Sequence, residues 1–77
     1  MKEHQYTIIL EPDLVEGGYS VTVPALPGCH TQGDSLEEAV AMARDAIACW
    51  IASAKQHGEP IPEETNHPQA IIITVAA

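Results

Sequence analysis

One stretch constrains the fold more than any other: Gly33-Asp34-Ser35-Leu36-Glu37-Glu38-Ala39 and the residues that follow it. Asp34 and Ser35 both have side chains that can accept from the unpaired N–H groups of a helix start, and Glu37 and Glu38 stand three residues after each. These carboxylates also sit in the first turn, where the helix dipole favours negative charge. Apolar residues then recur at Leu36, Ala39, Val40, Ala43, Ile47, Trp50, Ile51 and Ala54, one continuous stripe at helical spacing. Lys55 and His57 close the run and Gly58 follows as a stop. The pattern predicts a helix over Ser35 to His57, about 34 Å long at 1.5 Å per residue. Such a helix cannot bury its stripe alone and needs a partner layer.

The partner layer is predicted upstream. Residues Gln5 to Glu11 alternate, with Tyr6, Ile8 and Leu10 on one face and Ile9 on the other, as in a half-buried strand. Tyr19 to Val23 alternates again, and the Pro12 to Gly18 segment between them, with Gly17-Gly18, reads as a hairpin loop. Pro24 and Pro27-Gly28 break the pattern before a short third strand over Cys29 to Gln32. Beyond the helix, Glu59 to Gln69 is a proline-containing return loop. Ala70 to Val75 is β-branched and nearly all apolar, and reads as a fourth strand covered on both faces. The expected class is α+β in β-β-β-α-β order, one domain spanning residues 1–77, with the long helix packed on a mixed sheet. A right-handed crossover would set the last strand parallel to the first and third. Ile9 and Ile72 (or Ile71 and Ile73) would then form an apolar patch on the outer sheet face. That patch is the expected interface of a homo-oligomer, a dimer or a tetramer.

Charge narrows the function. Three basic residues against eleven acidic ones give a net charge of −8 in 77 residues. Such a chain repels phosphates, which argues against direct nucleic-acid binding, and suits a basic protein partner. No stretch approaches the roughly 20 apolar residues of a membrane span. Two cysteines make no disulfide framework, and without a recognisable leader the chain reads as cytoplasmic.

No residue pattern points to catalysis. Cys29 and His30 are adjacent on an extended segment and so point to opposite faces, which keeps the imidazole from the thiol. Cys29, Cys49, His4, His30, His57 and His67 show no close pairing of the kind that holds a metal. A two-metal nuclease needs converging acids. Glu11 ends the first strand, but the last strand carries no acid, and Glu63 and Glu64 lie in the return loop. Gly17-Gly18 precedes a strand, not a phosphate-binding helix. Trp50 reads as a core anchor of the stripe or, alternatively, as an interface hot spot. No catalytic residue, metal or cofactor is expected.

The run from "GGYSVTVPALPGCHTQGDSLEEAV" into the helix closely resembles the HicB antitoxin family. The matching positions are Tyr19 to Val23, the Pro24 to Cys29 turn, the Gly33 to Ser35 bend and Glu37 to Ala39. The resemblance implies a partial RNase-H-like fold without nuclease acids. It also implies a partner, a small basic HicA-like toxin that cleaves mRNA and whose active site the antitoxin covers. Many members continue into a C-terminal DNA-binding domain. The sequence given ends after the last predicted strand, so promoter binding is not expected of it. Within this reading Glu37, Glu38 and Asp45 on the helix, and Asp13 and Glu16 in the first loop, are the candidate partner contacts. Two alternatives stay open: an orphan self-associating protein without a toxin, and a residual hydrolase or nuclease.

Overall fold

A computed structural model describes residues 3–77. Strands β1 (Ile9–Pro12), β2 (Tyr19–Thr22) and β3 (His30–Gly33) are followed by helix α1 (Leu36–Gln56). The sheet order is β1-β2-β3 and both pairings are antiparallel. The α+β class and the β-β-β-α order are as predicted. The fourth strand is not formed. Ala70 to Val75 forms no regular element, is exposed throughout and pairs with no strand, so the expected mixed sheet with a parallel edge does not occur among the described residues.

Local chemistry explains the helix ends. Ser35, not Asp34, is the N-cap: its Oγ accepts from the Glu38 N–H at 3.1 Å. At the other end Gly58 adopts φ 68°, and the N–H groups of Gly58 and Glu59 donate to the carbonyls of Lys55 and Ala54. That pair of bonds is a Schellman closure, which satisfies the last carbonyls and turns the chain back. The predicted stripe is the buried one, with Ala46 added to it and Leu36 left 54% exposed at the first turn.

The first hairpin closes through the Asp13 N–H, which donates to the Gly18 carbonyl at 2.9 Å. The Asp13 carboxylate accepts from the N–H groups of Val15 and Glu16. Between β2 and β3, three backbone bonds tie Val23, Leu26 and Cys29 to one another. This folds Pro24 to Gly28 into a compact knuckle that drives Leu26 into the core.

The core has two adjoining parts on the helix side of the sheet. Val21, Ala39 and Ala43 pack with Leu10 and Tyr19, while Val23, Leu26 and Cys29 pack with Tyr6, Ile47 and Trp50. Ile8 belongs to both. The Trp50 indole donates to the Pro27 carbonyl at 3.0 Å, so Trp50 anchors the helix to the knuckle.

The return loop crosses to the β1 side. The Tyr6 hydroxyl donates to the Pro62 carbonyl, and Glu64 accepts from both the N–H and the hydroxyl of Thr7. Beyond it the chain projects away from the body. The radius of gyration is 14.6 Å, against about 11.5 Å for a compact chain of this length, and the long dimension reaches 51 Å. Among the described residues no helix is long and apolar enough to cross a membrane.

Candidate functional site

The β1–β2 loop and the bend between β3 and α1 meet at one end of the sheet. Gly18 makes this meeting possible. It has φ +74°, and a Cβ there would fall 2.3 Å from the Gly33 carbonyl oxygen. Asp13 and Glu16 from the loop and Asp34 from the bend therefore line a single small hollow of about 90 Å³ with Tyr19 and Gln32. Glu37 and Glu38 follow directly in the first turn of α1, both exposed. The result is an acidic end built from segments that are far apart in sequence.

The Asp13 carboxyl is held below its usual range by the N–H of Glu16, then by that of Val15. It stays ionised while it braces the loop. Among the described residues no group of three or more His, Cys, Asp or Glu is placed to hold a metal ion. The acidic end is an exposed, negatively charged surface.

Of the predicted contact residues, Asp13, Glu16, Glu37 and Glu38 fall at or beside this end. Asp45 does not. It lies two turns further along the same face of α1, seven residues past Glu38 and about 10 Å away along the axis. Asp34 belongs to the end although sequence reasoning treated it only as a candidate cap. Its signal was the competition with Ser35: once Ser35 takes the capping bond, the Asp34 carboxylate is left to the surface. The two residues predicted to form an outer apolar patch are apart. Ile9 is half-buried on β1 opposite Thr22, and Ile72 is 99% exposed on the projecting tail.

The thiol chemistry is closed off by packing. Cys29 is 6% exposed, and burial, with a smaller push from Cys49, raises its thiol above the ordinary range. His30 is exposed and opposes Thr22 on β2. Both cysteines are free thiols, and Cys49 is exposed on α1.

Glu64 is the most perturbed acid. Its hydrogen bond with His67, then those from the Thr7 hydroxyl and N–H, lower its carboxyl to about 2. A carboxyl depressed on folding stabilises the docked return loop fully above the unfolded value near 4.5 and loses that contribution as pH falls toward about 2. Amide exchange at Thr7 should therefore be slow at neutral pH after correction for intrinsic rates, and should accelerate below about pH 4. Glu64→Gln should accelerate it at all pH values and remove this pH dependence.

The HicB-like antitoxin model of bacterial toxin–antitoxin systems matches residues 6–72. This chain belongs to the HicB-like antitoxin family. The matched span takes in the sheet, the knuckle, the acidic end and the whole of α1. Similar proteins include the UPF0150 protein Ta0767 of Thermoplasma acidophilum, 47% identical over 60 residues that cover 78% of this chain and 86% of that one. The UPF0150 protein ssr1765 of Synechocystis is 43% identical, covering 79% of this chain and 76% of its own. Antitoxin HicB 1 of Photorhabdus laumondii is 42% identical over 80% of this HicB-like chain, which spans only 39% of that longer protein. Membership of the family supports an antitoxin role and, in general terms, a toxin partner.

Proposed function

We propose that this HicB-like chain neutralises a small, basic, HicA-type mRNA-cleaving toxin in the cytoplasm by binding over its active site. The family match over residues 6–72 carries the reading. The net charge of −8 and the convergence of Asp13, Glu16, Asp34, Glu37 and Glu38 at one end support it and suggest where the toxin docks. A cluster of carboxylates can steer a cationic nuclease and occupy the surface that would otherwise hold RNA phosphates. Binding rather than catalysis also fits the buried, raised thiol of Cys29.

The test is direct binding to the small basic protein captured with the tagged chain from its host. Neutralising Glu16, Asp34, Glu37 and Glu38 together (to Gln or Asn) should weaken the complex by at least about tenfold at low salt, with a smaller difference at high salt. Asp45→Asn should have a lesser effect, because Asp45 lies away from the acidic end. A complex that ignores both salt and these changes would place the toxin elsewhere on the chain. Recovery of the chain alone would favour an orphan self-associating protein, the reading to which the projecting apolar tail lends support.

A further inference from the structure

We infer that the C-terminal segment Ala70 to Val75 is a strand built for a second copy of this chain, added to the open edge of that copy's β1. Two such copies would exchange tails about a two-fold axis. This inference is independent of the antitoxin reading.

The segment has the chemistry of a buried strand and none of the environment. Ile71, Ile73 and Val75 fall on one face at the two-residue period and are 75–76% exposed, while Ile72 on the other face is 99% exposed. Residues 68–77 carry no charged side chain. An uncovered, uncharged β-branched run of this kind is an aggregation hazard unless something pairs with it.

The same molecule carries a vacant place of matching shape. Among the described residues β1 has β2 on one side and no strand on the other. The Asp13 N–H faces β2, so by strand alternation those of Glu11 and Ile9 do too, and the N–H groups of Leu10 and Ile8 point to the open side. Beside this edge, on the helix side, an open groove of about 480 Å³ runs between residues 4–6 and α1, lined by Tyr6, Arg44, Ile47, Ala48 and Ile51. Ile47 and Ile51 remain half-exposed there, and Val40 extends their row by helical spacing. A strand laid along the β1 edge would turn Ile71, Ile73 and Val75 into this groove. Its other face would then bring Ile72 beside Ile9, the two residues that one chain alone leaves apart.

The chain's own tail does not fill its own edge. Pro62 and Glu64 hold the return loop at Tyr6 and Thr7, and from Thr65 onward every residue is exposed. A toxin is a poorer occupant than a second copy, because an uncharged strand gives a basic protein nothing to attract it. Reciprocal exchange satisfies both unmet surfaces at once and closes as a dimer in which both tails are used.

The test combines light scattering with amide exchange on the full chain. The expected result is a dimer in which the amides of Ile8, Leu10 and alternate residues of 71–75 exchange at least about 100-fold more slowly than in an open strand. Ile71→Lys with Ile73→Lys should give a monomer. In it the Ile8 and Leu10 amides lose protection while those of Ile9 and Glu11, which face β2, and of Val21, in the central strand, keep it. These residues are exposed in the single chain, so the body of the fold does not depend on them. Three outcomes would overturn the inference: a wild-type monomer up to millimolar concentration, a dimer that survives the double change, or a monomer with protected tail amides, which would mean the tail folds back on its own sheet.

Discussion

Gly33→Ala is expected to remove most of the chain's stability at 25 °C. Gly33 ends β3 beneath the first turn of α1, and a Cβ there would fall 2.4 Å from the Ala39 nitrogen and 2.6 Å from its Cα. Both are helix backbone, so no rotamer change relieves the clash. Relief requires α1 to lift from β3, which opens the contact between the fully buried Ala39 and Val21. Gly33 does not have a left-handed φ, so the cost is steric. Overpacking of this severity costs roughly 3 kcal/mol or more. A domain of this size commonly has only about 3–5 kcal/mol in hand. Gly17→Ala is the internal control. Gly17 has φ +82° but open space around its Cβ, so the cost there is backbone strain of about 1–2 kcal/mol. Urea titration of the two variants should separate them clearly. Equal midpoints would mean that helix and strand do not approach as closely as described.

Leu26→Ala should be nearly as damaging. Leu26 is 1% exposed at the centre of the second core cluster, with Val23 and Cys29 beside it and Tyr6, Ile47 and Trp50 around them. Its surroundings are poorly able to collapse, because three backbone bonds hold the Val23 to Cys29 knuckle in shape. The cavity and lost transfer energy together should cost about 3 kcal/mol. Trp50 is the only tryptophan and bonds to Pro27 in the same knuckle, so its emission reports on the site. The expected variant has a lowered urea midpoint and a red-shifted, more quenchable Trp50. Leu26→Met, which keeps the volume, should retain most of the stability. If Leu26→Ala unfolds at the wild-type midpoint, the knuckle is not part of the core.

The regions legible in the sequence are those governed by nearby residues. Ser35, Glu38 and Gly58 mark the ends of α1 because caps act within one turn. The apolar stripe marks its buried face because the helical period is local. The Gly17-Gly18 loop and the Pro24 to Gly28 turn were readable for the same reason, and so was the family resemblance, which rests on that contiguous run. Strand limits were less legible: the first strand was expected to start at Gln5, yet pairing begins at Ile9. Alternation reports which side chains face inward, while pairing depends on where β2 runs out.

The tertiary structure alone decided three matters. It brought Asp34 to Asp13 and Glu16, because Gly18 lets two distant segments touch. It made Gly33 a point of close approach, a property that depends on where α1 lands on β3. It also left Ala70 to Val75 off its own sheet, although its composition reads as a buried strand. Composition records that a segment must be covered, whereas the anchoring of Pro62 and Glu64 at the N-terminal strand determines that this chain does not cover it. The amino-acid sequence by itself therefore determined the elements, the helix caps and the family, all products of local chemistry, and the long-range contacts decided which acids share a surface and which strand edge stays open.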